Sequence, residues 1–177
     1  MTAVYLKYLE EADYLAWMEG FSKRLPSQNP FDDGLLDMTV CTEDWFADLV
    51  DRHRRLRQQD QQYIWGIYDA HTNQHVGMVN LAVLARADFQ WAEIGYSIHN
   101  QYWRQGYASS MLLQLKEAAE VLGFHRLEAH VHPLNTPSQN LLKKSGFYLE
   151  GIRKHFQKEG QEWQDREIYV WVAGLEV

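Results

Sequence analysis

The chain has 177 residues, of which 46% are hydrophobic and 23% charged, and its formal net charge at pH 7 is −7. This length suits one domain that buries a core of its own. The acidic balance argues against nucleic acid as a partner, because phosphate binding needs a basic surface.

Two features narrow the class of protein further. A single cysteine, Cys41, excludes a disulfide within the chain and a cysteine-rich metal site. The N-terminal residues lack the apolar core of a signal peptide, and no apolar run approaches the ~20 residues that span a bilayer. We therefore expect a cytoplasmic protein without a membrane partner.

The first third of the chain predicts a strand and two helices. Residues 4–9 alternate between apolar and polar side chains, as in a short strand. Residues 11–24 carry apolar side chains at helical spacing, and residues 26–34 are rich in Pro, Asn, Asp and Gly, which predicts a loop. Thr42 is a suitable N-cap for a second helix, whose apolar side continues to Leu56.

The middle of the chain predicts three strands and a third helix. Residues 63–68 and 76–84 flank a polar turn, which indicates a β-hairpin, and residues 89–98 form the next strand. From about residue 108 to 122 the apolar side chains return to helical spacing, and Gly123 ends that helix.

The last third predicts three more strands and a short helix. Residues 127–132 have the pattern of a strand, and Thr136-Pro137-Ser138-Gln139 opens a short helix with an N-cap, a proline at the first position and a capping-box glutamine. Residues 147–155 and 166–172 complete the set. The order β-α-α-β-β-β-α-β-α-β-β predicts an α/β (α+β) fold with a mixed sheet, in a single domain over residues 1–177.

A candidate phosphate-binding segment joins a predicted strand to the third predicted helix. In this segment, residues 103–108, the first helical N–H groups lack partners and the positive end of the helix dipole faces outward, which suits phosphate oxygens. Gly106 allows the backbone to approach a ligand closely. The signal is weak by itself, because a lone glycine before a helix is more often only a turn. It matches neither a P-loop nor a dinucleotide fingerprint.

Neighbouring motifs give this segment a context. They are Ala92-Glu93-Ile94-Gly95-Tyr96-Ser97-Ile98, then Tyr102-Trp103-Arg104-Gln105-Gly106-Tyr107-Ala108, then Asn135-Thr136-Pro137-Ser138 through Lys144-Ser145-Gly146-Phe147. In this order and spacing they resemble the GNAT acetyltransferase superfamily, most of all its branch of ribosomal-protein N-terminal acetyltransferases. The clear resemblance covers residues 76–172. It implies a mixed, mostly antiparallel sheet of about six to seven strands flanked by helices.

The resemblance implies an enzyme that moves an acetyl group from acetyl-CoA to a primary amine by direct attack in a ternary complex. The family's pyrophosphate loop falls on residues 103–108, with Trp103 where a Gln or Arg is usual, a departure common in the ribosomal-protein branch. Ile98 and His99 correspond to the strand end that pairs by backbone with the pantetheine arm, and Asn135 to an Asn that binds the same arm. The implied cofactor-binding residues are Ile98, His99, Trp103, Arg104, Gln105, Gly106, Tyr107, Ala108, Asn135 and Ser138.

Acetyl transfer to an amine needs a proton acceptor, because an ammonium group cannot attack a thioester. Glu93 corresponds to the base of histone-acetylating relatives, with water as the expected intermediary; alternatively, it only orders the sheet. Ser138 resembles the serine proposed to donate to the departing thiolate, although serine is common in the first turn of a helix for local reasons. Gln157 falls where the ribosomal-protein branch carries a later Glu base, and glutamine cannot accept a proton.

A pair of histidines raises the question of a metal site. His130 and His132 stand two residues apart on a predicted strand, so they would share one face. No third ligand with suitable spacing is evident, and as an alternative one of the pair only caps the end of the sheet, so we expect no metal.

The acceptor side of the site is the least determined. In the family the first helices and their loop usually wall the acceptor cleft. Two adjacent acids in that loop would attract a cationic amine, or form only a solvated turn. The candidate substrate-binding residues are Trp17, Phe31, Asp32 and Asp33.

Three functions remain open at this point. The first is acetylation of a protein N-terminus, and the second is acetylation of a small amine such as a polyamine or an antibiotic. The third is a non-catalytic acyl-CoA-binding regulatory module, although retention of Glu93 with Ser138 favours an enzyme. The oligomeric state is also open, with a homodimer among the alternatives.

Overall fold

The structure, a computed structural model, describes residues 2–175. Among these residues the helices are α1 (Tyr14–Ser22), α2 (Glu43–Gln58), α3 (Tyr107–Val121) and α4 (Thr136–Lys144). The strands are β1 (Val4–Lys7), β2 (Gln62–Asp69), β3 (His75–Ala85), β4 (Trp91–Ile98), β5 (Arg126–Val131), β6 (Tyr148–Glu159) and β7 (Glu162–Val172). Short 3-10 turns lie at Glu11–Asp13 and Asn100–Tyr102.

The strands form one sheet in the order β1-β2-β3-β4-β5-β7-β6. Strands β4 and β5 run parallel, and Glu93 lies opposite Glu128 in their register. The β1–β2, β2–β3, β5–β7 and β6–β7 pairs are antiparallel. Both the predicted order of helices and strands and the predicted mixed, mostly antiparallel sheet are confirmed.

The last hairpin extends beyond its predicted limits. Strand β6 continues to Glu159 and β7 begins at Glu162, whereas the sequence predicted strands over 147–155 and 166–172. The added residues are mostly polar and exposed, so they show no alternation, yet backbone pairing such as that of Lys158 with Trp163 carries the ladder to the turn. Hydrogen bonding between strands, rather than burial, therefore sets the ends of this hairpin.

The chain divides into two compact units. The first comprises the described residues 2–82 and 95–115, and the second comprises residues 83–94 and 116–175. Strands β3 and β4 and helix α3 contribute residues to both.

Aromatic side chains of α1 and α2 fill the core of the first unit. The ring of Trp17 lies 5.0 Å from that of Phe46 and 4.8 Å from that of Phe21, measured between centroids. Helix α2 begins where predicted, because the Thr42 hydroxyl accepts the N–H of Trp45. Cys41 is buried in the same cluster, and burial raises the pKa of its thiol, which disfavours the nucleophilic thiolate.

Two buried imidazoles lie against α1 in the first unit. His75 Nδ1 and His99 Nε2 are 3.0 Å apart, and His75 Nε2 lies 3.3 Å from the sulfur of Met78. If His99 Nε2–H donates to His75 and His75 Nε2–H donates to Met78, both ring N–H groups have acceptors. Gly20 of α1 permits this packing, since a Cβ there would lie 2.9 Å from a ring nitrogen of each histidine.

The second unit has an aliphatic core under its strands. Leu127 of β5 and Leu142 of α4 are fully buried, together with Phe147 at the start of the last hairpin. The guanidinium of Arg86 lies 3.8 Å from the centre of the Phe124 ring and donates to the carbonyl of Leu122. This cation–π contact covers the core next to the end of α3.

We predict that acid weakens the fold through the two imidazoles. Burial lowers the pKa of His75 to about 4 and that of His99 to about 3, whereas the unfolded chain binds both protons near pH 6.5. The free energy of unfolding should therefore fall by about 2 kcal/mol or more between pH 6.5 and pH 4. Urea denaturation of wild type and His99→Phe measures this, and the variant should lose less stability over the same range. Equal slopes in the two proteins would show that His99 is not responsible.

Candidate active site

The phosphate-binding candidate, residues 103–108, lies in the first unit and has two left-handed residues. Between the 3-10 turn at Asn100–Tyr102 and the start of α3, both Arg104 (φ 60°) and Gly106 (φ 90°) adopt left-handed conformations. A Cβ on Gly106 would meet only atoms of Thr2, at an ordinary 3.6 Å. Glycine is thus favoured here by its backbone angle rather than by lack of space.

Helix α3 begins with free backbone donors. Within residues 2–175 the N–H groups of Gly106, Tyr107 and Ala108 donate to no acceptor, and residues 104–106 are exposed. They stand at the positive end of a 15-residue helix. The arrangement suits an anionic ligand such as a phosphate group.

Three hydrogen bonds hold this segment in place. The indole N–H of Trp103 donates to the carbonyl of Ile98 at 2.7 Å, and the Thr2 hydroxyl donates to the carbonyl of Gln105 at 2.5 Å. The hydroxyl of Tyr107 donates to buried Asp69 at 2.8 Å. Trp103 therefore fastens the segment to the end of β4, which gives the indole a structural role at this position.

Asp69 is the anchor at the other end of the Tyr107 contact. Its carboxylate also accepts the backbone N–H groups of His71 and Thr72 in the turn after β2. Burial opposes its charge, but these hydrogen bonds outweigh burial and hold the pKa of Asp69 at about 2. Burial and the adjacent carboxylate raise the pKa of Tyr107 to about 12, so the phenol keeps its proton.

We predict that Tyr107→Phe loosens the start of α3 and so weakens the binding of an anionic ligand there, with CoA, the ligand that the family resemblance implies, as the probe. The variant leaves a buried carboxylate with one partner fewer, and a hydrogen bond to a charged group contributes about 1.5–3 kcal/mol. Titration calorimetry should show a Kd for CoA raised by about threefold to tenfold, a cost of about 0.7–1.4 kcal/mol. Tyr102→Phe is the matched control, because its hydroxyl makes no hydrogen bond in the described chain. Equal affinity in both variants would contradict this anchoring.

The end of β4 is already engaged at the groups predicted to pair with pantetheine. The N–H of His99 donates to the carbonyl of Val76, and its own carbonyl accepts the N–H of Tyr102. The His99 ring is buried in the histidine pair rather than exposed to a ligand. Pairing of Ile98 and His99 with the cofactor stays a prediction.

Glu93 lies in the second unit and contacts a histidine. Its carboxylate oxygen is 3.1 Å from His130 Nδ1, and the other ring nitrogen of His130 is 3.0 Å from an oxygen of Glu128. From the sequence, His130 was considered as a metal ligand or as a residue at the end of the sheet, and Glu128 was overlooked. The signal was present, because Glu128 and His130 alternate on the strand predicted over residues 127–132, and a charged side chain buried in a sheet needs a partner.

Asn135 and Ser138 stand at the start of α4 in the same unit. Asn135 is the N-cap, and its side-chain oxygen accepts the N–H of Ser138 at 3.3 Å. The predicted N-cap at the Thr136 opening is therefore wrong by one residue: Pro137 follows Thr136 within the first turn, and the Gln139 side chain donates to the carbonyl of Pro133 instead of closing a capping box. Asn135 thus has a local capping role, and the cofactor contacts of both residues stay predictions.

The position where a later base was sought has a structural role. The side-chain oxygen of Gln157 accepts a hydrogen bond at 2.7 Å from Arg166, which is buried. A glutamine holds this guanidinium without bringing a further charge.

His130, on β5, and His132, just after that strand, do not converge on a common ligand point. His130 faces carboxylates with both ring nitrogens, whereas His132 Nδ1 accepts the N–H of Leu134. Among residues 2–175 no group of three His, Cys, Asp or Glu side chains is placed to hold a metal ion.

The four acceptor candidates separate into two buried and two exposed side chains. Trp17 belongs to the aromatic core of the first unit, and Asp32 is buried against Arg24 at 2.8 Å. Asp32 also accepts hydrogen bonds from Asn100 and from the backbone of Gln28 and Gly34. Both have structural partners, and the solvated turn suggested for the loop is wrong at Asp32. A role of Trp17 or Asp32 in acceptor binding stays a prediction. Phe31 and Asp33 remain exposed.

We predict that Asp32→Ala destabilises the protein by about 3–5 kcal/mol, because it leaves the buried Arg24 guanidinium without its carboxylate. Its exposed neighbour gives the matched control: Asp33→Ala should change the free energy of unfolding by no more than about 0.5 kcal/mol. Chemical denaturation measures both, and similar values for the two variants would contradict a structural role for the Arg24–Asp32 pair.

Comparison with solved structures identifies the fold. Mycobacterium smegmatis RimJ in complex with CoA-disulfide superposes with a TM-score of 0.76 over 96% of this chain and 82% of that one, at 21% sequence identity. A family model for the acetyltransferase (GNAT) domain matches residues 7–148. The chain therefore belongs to the GNAT acetyltransferase family, and the predicted family is confirmed.

Curated relatives agree with this family. A probable N-acetyltransferase of Bacillus subtilis, YjcK, is 30% identical over 120 residues, which are 67% of this chain and 66% of that protein. The ribosomal protein uS5-alanine N-acetyltransferase of Escherichia coli is 25% identical over 112 residues, or 63% of this chain and 58% of that enzyme. The matches to these two relatives thus span slightly less than two thirds of their lengths. No helix among residues 2–175 is long and apolar enough to cross a membrane.

Proposed function

We propose that this chain is a single-domain, acetyl-CoA-dependent N-acetyltransferase that acetylates the α-amino group of a protein N-terminus. The proposal rests on the start of α3. Gly106 is left-handed there, and its N–H group and those of Tyr107 and Ala108 donate to no acceptor within residues 2–175. In a member of the GNAT family this is the segment expected to hold the pyrophosphate of CoA.

Acetyl-CoA supplies the reactive thioester when it is bound. The N–H groups of residues 106–108 bind its pyrophosphate with the help of the α3 dipole. The overall acidic charge of the protein does not hinder this, because the contact depends on local backbone dipoles rather than on net charge. The CoA-bound state of the RimJ structure supports this choice of ligand.

The second unit supplies the candidate acid–base groups. Glu93 is partly exposed on β4, so water and an amine reach its carboxylate, which takes the proton that the amine must lose. Ser138, in the first turn of α4, is the proposed donor to the departing sulfur. The uS5-alanine activity of the Escherichia coli relative favours an N-terminal amine over a polyamine or an antibiotic.

Gly106→Val should raise the Kd for CoA about tenfold or more. A valine at φ 90° is strained by about 1–2 kcal/mol, and the backbone shift that relieves this strain displaces the N–H groups of the segment. Gly123→Val is the matched control, since Gly123 is also left-handed (φ 78°) and ends α3 in open space. Calorimetry with CoA should show normal binding in that control. Unchanged affinity in Gly106→Val would remove the segment from the cofactor site.

The acceptor is tested with acetyl-CoA and a panel of peptides with free or blocked N-termini, alongside polyamines. Mass detection should show one acetyl group on free α-amines, and none on blocked peptides. Glu93→Gln should lower kcat about 100-fold or more without changing CoA affinity, whereas Glu120→Gln, on the exposed side of α3, should act as wild type.

Each result of this panel counts for or against one part of the proposal. CoA binding without thiol release on any amine would leave only a binding module. Acetylation of polyamines alone would replace the proposed acceptor, and a normal rate in Glu93→Gln would remove Glu93 as the base.

A further inference from the structure

Three ionisable side chains, one on β4 and two on β5, lie in contact with one another in a row within the second unit. Glu93 Oε1 lies 3.1 Å from His130 Nδ1, and His130 Nε2 lies 3.0 Å from Glu128 Oε2. The side-chain exposure falls from 39% at Glu93 to 6% at His130 and 1% at Glu128. Glu93 therefore reaches solvent, whereas Glu128, at the other end of this row of side chains, is buried in the protein.

The sealed end is a carboxylate that stays ionised. Arg126 donates to Glu128 at 2.6 Å and Arg153 donates to it at 2.9 Å. Burial opposes the charge, yet the hydrogen bonds from Arg126 and His130 and the charges of both arginines lower the pKa of Glu128. Because Arg126 is itself paired with Glu150, two arginines and two glutamates balance each other.

His130 is surrounded by charge on several sides. Glu93 reaches it from β4 and Glu128 from its own strand, while Arg153 of β6 comes within 3.2 Å of Nε2. Phe156 of β6 packs edge-on to the imidazole at 5.1 Å, and on β7 its backbone partner is apolar Ile168. Burial disfavours the imidazolium, but the hydrogen bonds to the two carboxylates outweigh burial and raise the pKa of His130.

We propose that His130 is a positioning residue that makes Glu93 and itself one proton acceptor, with Glu128 as the fixed countercharge. This inference rests on the proposed function, in which Glu93 deprotonates the amine. A carboxylate alone is a weak base toward an ammonium group, whereas a carboxylate beside an imidazole lone pair accepts a proton that both groups then share.

In the competent state Glu93 is ionised, and His130 is neutral with its one N–H directed at Glu128. An N–H bond of the substrate ammonium breaks, its electron pair stays on the amine nitrogen, and the proton moves through Glu93 to Nδ1. The product state is an imidazolium between two carboxylates. The pair must release this proton to water before the next turnover, so acid should inhibit the enzyme.

The test compares the pH dependence of kcat in wild type and His130→Gln, using whichever amine is acetylated. Loss of the imidazole leaves Glu93 as a lone carboxylate, so kcat at pH 7 should fall about tenfold to 100-fold while its acidic limb moves by one pH unit or more to lower pH. CoA affinity should not change. His125→Gln is the control, since His125 is exposed and its side chain has no partner within residues 2–175. A uniform loss of rate at every pH, with an unmoved limb, would overturn the proposal.

A second readout needs no acetyl transfer. The ring resonances of His130, followed by NMR in wild type and in Glu93→Gln, should titrate at lower pH in the variant. The same titration in both would overturn the coupling of Glu93 to His130. If no amine is acetylated, the proposed function fails and so does the catalytic part of this inference, whereas the NMR titration still decides whether the two residues share a proton.

Discussion

The start of α3 is a helix N-terminus whose first N–H groups find no acceptor among residues 2–175. At a helix N-terminus such N–H groups are bound by water or by a ligand, and here, beside the exposed residues 104–106, they are available to a ligand. Its shape is maintained from several directions: the backbone angle of Gly106, the indole of Trp103 on Ile98, and the hydroxyl of Tyr107 on Asp69. Exposed donors are thereby held in a rigid frame, which is the arrangement that an anionic ligand requires.

The second unit handles a different physical problem, because it buries charge between strands. Glu128 would be very unfavourable alone at 1% exposure, and its two arginines and His130 make it tolerable. Losing one of these partners would leave the buried charge less well compensated and so destabilise the fold. Glu93 is the member of this cluster that reaches solvent. Acid–base chemistry needs such a group, because it is held in place by His130 and is still accessible.

Local patterns were sufficient for the order of the helices and strands, for Thr42 as a cap and for Gly106, because each depends on neighbours in the sequence. Contacts between distant residues were not predictable in this way. In the sequence Asp32 has the features of a solvated loop residue, and only the fold shows that Arg24 and Asn100 bind its carboxylate. In the same way, the partners of His130 come from three strands. The polar ends of β6 and β7 carry no periodic signal, since only pairing defines them.

The most direct test of the central claim follows the backbone amides themselves. In a protein labelled with ¹⁵N, adding CoA should shift the amide resonances of Gly106, Tyr107 and Ala108 more than any others and slow their hydrogen exchange, because those N–H groups would gain phosphate acceptors. If CoA binds while these three resonances and their exchange rates stay unchanged, the start of α3 is not the pyrophosphate site and this account of the protein is wrong.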